Sequence, residues 1–294
     1  MDQTAADYVK EKMPQIGLGT YQMRAEPALF EVIKRGFELG YRFIDTAQCY
    51  GNEAMIGRIL QRLFDPQSPD FAKLKRSDIF ITSKVSPANQ GKEKVEKSVR
   101  LSLEHLQTDY LDLVLIHWPG ASKYVVSNPK NKVLRRETWL ELERLQKEGL
   151  VRATGVSNYT VTHLNEMLEY ASILPVVNQC EYHPHFAETY LVDFCKLHNI
   201  HFQAYSSFGS PDGVDDLFSD PKITTVAEKY STSVPQFLLA WALSQGISVL
   251  PRTRSISHLE TNWKAQGIFI TKEDINDVIS KKQIKYCWNP SAVA

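Results

Sequence analysis

Short apolar segments alternate with helical segments along almost the whole 294-residue chain, and this alternation limits the folds that it can adopt. In segment 92–106, Val95, Val99, Leu103 and Leu106 recur at spacings of three and four residues, which places them on one buried helix face. Predicted helices occupy residues 27–39, 52–64, 92–106, 136–148, 161–171, 187–198 and 235–245. Predicted strands occupy residues 15–20, 43–45, 79–84, 113–117, 154–157, 176–179, 201–205 and 248–250.

Eight strands alternating with helices predict an α/β protein with a (β/α)8 barrel, the TIM-barrel fold, in one domain over residues 1–294. An open, doubly wound sheet is the alternative. It is disfavoured because no G-x-G-x-x-G motif follows a first strand, and segment 17–20 leads into Tyr21 rather than into a helix. Segments 120–135 and 206–220 are predicted to be irregular loops on the face where barrel strands end and ligands bind.

The charge balance argues against a polyanionic partner. The chain has 34 Lys and Arg and 34 Asp and Glu, whereas binding to nucleic acid or a membrane surface normally requires a basic excess. No signal peptide is evident, and the longest apolar run, 237–243, is shorter than the ~20 residues of a membrane span. Four cysteines without a C-x-x-C pair are typical of a reduced protein. We therefore expect a cytoplasmic protein that binds neither nucleic acid nor a membrane.

Ionisable side chains end three consecutive predicted strands. Asp45 ends the second, Lys84 the third and His117 the fourth, and Tyr50 follows Asp45 after five residues. A lysine ammonium beside a tyrosine lowers the pKa of the phenol, and an acid keeps the lysine charged. A histidine across the site can orient a carbonyl oxygen. Such a site can protonate a carbonyl oxygen while a hydride reaches the carbon.

Each of these residues alone has a structural explanation, such as a helix cap for Asp45 or an ion pair for Lys84. Their occurrence at the ends of consecutive strands favours catalysis. His183 and His185 form the His-x-His pair that metal-dependent barrel hydrolases use, but no further ligand set completes it. We therefore expect a structural turn around Pro184 and no metal site.

The chain resembles the aldo-keto reductases from residue 15 to about residue 290. The matching segments are 17–20, 40–53, 82–84, 115–119, 155–158, 178–184 and 250–253. The resemblance implies a monomeric (β/α)8 barrel that reduces aldehydes or ketones with NADPH. It makes Tyr50 the general acid, Lys84 and Asp45 the pair that tunes its pKa, and His117 the group that orients the carbonyl.

The resemblance also implies a nicotinamide site formed by the later strands. Ser157, Asn158 and Gln179 would hold the carboxamide, and Tyr205 would stack on the ring. The residues implied along the rest of the cofactor are Gly19, Thr20 and Tyr21 towards the ribose, and Ser206 and Ser210 near the pyrophosphate. Asp45 is implied to contact the cofactor as well.

The adenosine end of the cofactor is implied to lie on Arg252, Thr253, Arg254, His258 and Asn262. Ser257 and Glu260 are spaced as a capping box, which predicts a helix N-terminus that attracts phosphate. Three residues of this segment depart from the family pattern. Arg252 replaces a usual lysine, His258 replaces the arginine that binds the 2′-phosphate, and Thr261 replaces a usual glutamate. NADPH is the expected cofactor because two arginines remain, and NADH is the alternative.

The implied substrate contacts are Tyr21, Tyr50, His117 and Trp118, with Tyr21 in place of a frequent tryptophan. The segment up to Lys12 lacks the glycine turn of the family's usual hairpin, so we expect the barrel floor to be closed in another way. The aromatic segment 286–290 is expected to close over the site. Cys49 is interpreted as a small, partly buried residue rather than a reactive thiol. The alternative function is a cofactor-binding redox sensor or structural protein with little turnover.

Overall fold

The computed structural model describes residues 4–294, and eight parallel strands form one sheet in chain order. A parallel bridge between Ile16 and Val249 joins its two edges and closes the barrel. The predicted (β/α)8 barrel is therefore confirmed. The strands are β1 (Leu18–Gly19), β2 (Phe43–Asp45), β3 (Phe80–Val85), β4 (Leu111–Ile116), β5 (Val151–Ser157), β6 (Val177–Glu181), β7 (His201–Tyr205) and β8 (Ser248–Val249).

Twelve α-helices accompany the strands within residues 4–294, and all seven predicted helices are among them. None is both long enough and apolar enough to cross a bilayer. The helices are α1 (Ala5–Lys12), α2 (Glu26–Leu39), α3 (Glu53–Phe64), α4 (Lys92–Leu106), α5 (Lys130–Lys147), α6 (Val161–Leu168), α7 (Thr189–Leu197), α8 (Ser210–Ser219), α9 (Pro221–Lys229), α10 (Val234–Leu243), α11 (Ile256–Lys264) and α12 (Lys272–Asp277).

Both predicted irregular loops are partly wrong, because residues 130–135 begin α5 and residues 210–219 form α8. The Ser-Pro-Asp-Gly start of α8 is typical of a turn. Pro211, however, lies in the first helical turn, where its missing N–H removes no helical hydrogen bond. Gly213 is needed for packing, since a Cβ atom there would lie 2.3 Å from the ring of Tyr286.

Helix α1 closes the amino-terminal end of the barrel. Its Val9, together with Met13, is buried against the first residues of β2 and β3, Phe43 and Phe80. The Tyr8 hydroxyl donates a 2.5 Å hydrogen bond to the buried carboxylate of Asp112 in β4. The floor is thus closed by a helix rather than by the family's usual hairpin.

Candidate active site

The carboxyl ends of β2, β3 and β4 bring together the four predicted catalytic residues. Lys84 Nζ is fully buried and lies 2.6 Å from Asp45 Oδ1, 2.9 Å from the carbonyl oxygen of Thr46 and 3.3 Å from Tyr50 Oη. The Tyr50 and His117 rings meet edge to face, with centroids 5.7 Å apart. Strand register explains the grouping, because Asp45 pairs with Thr82, two residues before Lys84.

The direction of the Tyr50 pKa shift differs from the sequence prediction. Burial raises the pKa of the Tyr50 phenol well above its ordinary value, and the nearby Asp45 carboxylate adds to the rise. The predicted lowering by Lys84 is not seen because burial has the largest effect on the pKa of the phenol and acts in the opposite direction. Tyr50 therefore keeps its proton at neutral pH.

His117 follows β4 and is uncharged at neutral pH. Burial, reinforced by the Lys84 ammonium, lowers the pKa of His117 to about 3. Its Nδ1 atom lies 3.5 Å from the sulfur of Cys49. Cys49 itself is exposed along the cavity wall, whereas a partly buried residue was expected, and partial burial of its thiol raises the pKa of that group. The pair is therefore a neutral thiol beside a neutral imidazole.

A cavity of about 720 Å³ lies over these groups at the carboxyl ends of the strands. Lys84 lies beneath it, and four residues predicted for the adenosine end, Thr253, Arg254, His258 and Asn262, lie outside its lining. The predicted residues that line the cavity are Gly19, Thr20, Tyr21, Asp45, Tyr50, His117, Trp118, Ser157, Asn158, Gln179, Tyr205, Ser206, Ser210 and Arg252.

The residues predicted to hold the nicotinamide form one hydrogen-bonded network. The Asn158 amide group donates to the carbonyl oxygen of His117 and to Ser157 Oγ, and the Tyr205 hydroxyl donates to Asn158 Oδ1 at 2.6 Å. The Gln179 amide group donates to Asp45 Oδ2 and to the Gln203 side chain. These bonds use both amide hydrogens of each residue, so Asn158 Oδ1 and Gln179 Oε1 are the atoms suited to a ligand's N–H groups.

The predicted capping box at Ser257 and Glu260 is wrong. Ser255 caps α11 instead, and its side chain accepts from the N–H of His258. Glu260 does not bond back to the cap, because its carboxylate accepts two hydrogen bonds from Arg35 of α2. The helix N-terminus therefore lies two residues before the predicted position. Nearby, Arg254 donates to the carbonyl oxygen of Gln22, which links the loops after β1 and β8.

Residues 286–288 belong to the aromatic segment 286–290 that was expected to close over the site, although the sequence assigned no role to its individual residues. Tyr286, Cys287 and Trp288 line the cavity, and the Trp288 ring contacts Trp118 with centroids 5.0 Å apart. The aromatic composition of the segment indicates this placement, as we expected from the sequence. Other lining residues carried no sequence signal, and they include Gln22, Phe208 and Asp212.

The two histidines of the His-x-His pair have protein partners. His183 Nε2 lies 3.0 Å from the Glu181 carboxylate. His185 contacts the Tyr286 hydroxyl through Nδ1 and the Asp220 carboxylate through Nε2. Within residues 4–294, no group of three His, Cys, Asp or Glu side chains is arranged to hold a metal ion.

Comparisons with known proteins identify the family of the chain. The model of the Aldo/keto reductase family matches residues 15–283. Glyoxal reductase of Bacillus subtilis (strain 168) is 36% identical over 267 residues, which cover 91% of this chain and 88% of that protein. Aldo-keto reductase family 1 member A1 of Gallus gallus is 33% identical over 287 residues, covering 92% of this chain and 86% of that protein.

Solved structures give the same assignment. An aldo-keto reductase enzyme from a Medee basin deep-sea metagenome library superposes with a TM-score of 0.84 at 33% identity, covering 96% of each chain. A Bombyx mori aldo-keto reductase in complex with NADP superposes with a TM-score of 0.82 at 26% identity, covering 94% of this chain and 91% of that one. The chain therefore belongs to the aldo/keto reductase family and is an NAD(P)H-dependent oxidoreductase that acts on carbonyl compounds.

Proposed function

We propose that this protein reduces a small aldehyde or ketone to the alcohol with NADPH, and that Tyr50 is the general acid. The observation that carries the proposal is the buried Lys84 ammonium, which contacts Asp45 on one side and the Tyr50 hydroxyl on the other. Because Lys84 can only donate, the Tyr50 oxygen accepts from it, and the phenolic proton is free to point into the cavity. The Tyr50 hydroxyl is thereby directed towards a bound carbonyl oxygen.

The raised pKa of Tyr50 means that the phenol is fully protonated before the reaction, so Tyr50 enters the reaction as an acid and not as a phenolate. As the proton leaves, the phenolate develops 3.3 Å from the Lys84 ammonium. Asp45 stabilises the charge of Lys84, which would otherwise be buried without a counter-ion. Asp45 and Lys84 therefore act on the phenolate as it forms rather than on the resting phenol.

His117 is proposed to orient the substrate as a neutral donor. With Nδ1 accepting from the Cys49 thiol, the single N–H of the uncharged ring lies on Nε2. That N–H can donate to the carbonyl oxygen that Tyr50 protonates. Tyr21 and Trp118 border the same part of the cavity and would contact the rest of the substrate.

The nicotinamide-binding network fits the cofactor. Asn158 Oδ1 and Gln179 Oε1 can accept from the carboxamide N–H groups, while Ser157 supports Asn158. The half-buried ring of Tyr205 offers a stacking surface, and its hydroxyl is held by Asn158. Bound NADPH supplies the hydride that reaches the carbonyl carbon. Gly19, Thr20 and Asp45 would lie beside the ribose, and Ser206 and Ser210 would donate to the pyrophosphate.

A preference for NADPH over NADH is supported by charge near α11. Arg252 and Arg254 are exposed, and one guanidinium donor of Arg254 is engaged by Gln22. The remaining donors, with His258 and the N-terminus of α11, can bind a 2′-phosphate. Thr253 and Asn262 flank this surface, and Asn262 is buried. NADH remains the alternative cofactor because His258 replaces an arginine.

The test is steady-state oxidation of NADPH, and of NADH in parallel, over aldehydes, sugars, quinones and steroids. We expect Tyr50→Phe to lower kcat by roughly 10²–10⁴ without abolishing NADPH binding, because it removes the transferred proton. Tyr190→Phe is the matched control, since Tyr190 is an exposed phenol on α7. Full activity of Tyr50→Phe would contradict the assignment of the acid. Tight NADPH binding without turnover of any carbonyl would favour a sensor or structural role instead.

A further inference from the structure

Glu181, the last residue of β6, is a completely buried carboxylate to which the proposed reaction assigns no part. Its two oxygens accept from Lys285 Nζ at 2.8 Å, from the backbone N–H of Tyr286 at 2.6 Å and from that of Cys287 at 3.0 Å. His183 Nε2 lies 3.0 Å away. Three of these four partners belong to one short segment near the end of the chain, residues 285–287.

These contacts keep Glu181 ionised. Burial alone would raise its pKa, but the hydrogen bonds from His183 and Lys285 and the charge of Lys285 hold the pKa of Glu181 at about 2. The Lys285 side chain is itself largely buried beside it. A buried carboxylate is costly unless it is paired and hydrogen-bonded, so displacing residues 285–287 would leave Glu181 without most of its partners.

The segment that Glu181 holds forms part of the cavity wall. Cys287 Sγ lies 3.1 Å from Ser210 Oγ and 3.5 Å from Ser206 Oγ. The next residue, Trp288, packs edge to face on Trp118 beside the substrate end of the cavity. Trp288 is half exposed, so only part of its surface packs against the protein.

The chain beyond Trp288 is held separately. The N–H of Ala294 donates to the carbonyl oxygen of Val126, and the carbonyl oxygen of Val293 lies 3.1 Å from His163 Nε2. Residues 285–294 are therefore attached to the barrel at both ends, and residues 286–288 form part of the cavity wall. At the end nearer the cavity, Glu181 binds the backbone of Tyr286 and Cys287 and the Lys285 side chain, and the Tyr286 hydroxyl also contacts His185.

We propose that Glu181 is a positioning residue for the carbonyl substrate, acting by holding residues 285–287 so that Trp288 completes the cavity wall against Trp118. The proposal rests on the proposed function, because it concerns the same cavity. Glu181 does not contact the reacting atoms, so its loss should weaken substrate binding more than it slows the chemical step. A substitution at Glu181 should also free Cys287 from its contacts with Ser206 and Ser210.

The test compares Glu181→Gln with wild type in two measurements. The first is KM and kcat for a carbonyl substrate. We expect KM to rise by roughly tenfold, with kcat changed much less, since a loss confined to binding appears in KM. The second is the rate of iodoacetamide labelling of Cys287 relative to Cys49, read by peptide mass spectrometry without substrate or cofactor. We expect the ratio to rise, because release exposes Cys287 and removes the burial that raises its pKa.

Glu188→Gln is the matched control, because it removes an exposed negative charge that lies close to both Glu181 and Lys285 without breaking a hydrogen bond to the segment. It should leave both measurements as in wild type. Lys285→Met is the second variant, since it removes the cation but keeps the two backbone hydrogen bonds. Lys285→Met should raise KM and the Cys287 labelling ratio, each by a smaller factor than Glu181→Gln does. If Glu181→Gln does not fold, Lys285→Met tests the proposal in its place.

Unchanged Cys287 labelling in Glu181→Gln would overturn the proposal, because the carboxylate would not be holding the segment. Faster labelling with an unchanged KM would overturn it as well, since the segment would not be positioning substrate. These outcomes are distinct from failure of the proposed function, which would appear as a lack of carbonyl reduction by the wild-type protein itself.

Discussion

At the scale of single residues, the sequence predicts which groups meet but not how their proton affinities change. Asp45, Lys84 and His117 were identifiable because each follows a short apolar strand, and parallel strands end on one face of a barrel. The pKa directions of Tyr50 and His117 depend on burial, which comes from side chains distant in sequence. For the same reason, the exposure of Cys49 to the cavity could not be predicted.

The two pKa shifts predict a reduction rate that does not depend on pH near neutrality. His117, with a pKa of about 3, remains neutral between about pH 5 and pH 8, and Tyr50, with a raised pKa, remains protonated. We therefore expect a flat profile of kcat/KM for carbonyl reduction over that range. The measurement is initial rate against pH, with 4-deuterated NADPH used to verify that hydride transfer limits the rate.

The fraction of folded protein must be followed in parallel, by circular dichroism. Histidine in the unfolded chain binds a proton below about pH 6.5, whereas native His117 does not until about pH 3. Stability is therefore lost as the pH falls below about 6.5, and His201, whose burial lowers its pKa to about 4, acts in the same direction. An ionisation near pH 6.5 in the rate of fully folded protein, absent from His117→Gln, would contradict the assigned charge state.

At the scale of elements, the spacing of apolar residues predicted the helices whose apolar faces pack on the barrel. It did not predict helices whose formation depends on contacts with residues distant in sequence. Helix α8 starts with turn-forming residues, and its Gly213 is explained only by the Tyr286 ring that packs against it. The start of α11 was placed two residues too late, since Ser257 and Glu260 match a capping box in sequence. Arg35, 225 residues away, engages Glu260 and removes it from that role.

The revised start of α11 gives a prediction that separates the two serines. Ser255→Ala should lower the free energy of unfolding by about 1 kcal/mol, because it removes the side chain that caps the His258 N–H. Ser257→Ala, the matched control, should change it by less than about 0.5 kcal/mol, as expected of an exposed surface position. Urea denaturation of both variants is the measurement. A larger loss of unfolding free energy in Ser257→Ala than in Ser255→Ala would mean that Ser257 caps the helix, as the sequence predicted.

At the scale of the whole molecule, the residues that seal the barrel and the residues that form the candidate active site lie at opposite ends of the strands. The cavity lies at the carboxyl ends of the strands, whereas α1 seals the opposite end. The eightfold alternation identified the barrel without any knowledge of side-chain packing. It did not predict α1, whose few apolar residues are buried only because the first residues of β2 and β3 form a floor that accepts them.

This separation predicts that weakening the floor lowers stability without altering catalysis. Val9→Ala deletes two methyl groups from a buried position, and we expect it to cost about 1–3 kcal/mol of unfolding free energy, between the ranges for Ile→Val and Leu→Ala. Val133→Ala deletes the same atoms from an exposed position on α5 and should cost almost nothing. Urea denaturation and kcat per folded molecule are the measurements. Equal stability of the two variants would mean that α1 does not seal the barrel, and a lower kcat in Val9→Ala would mean that the floor and the cavity are coupled through the strands.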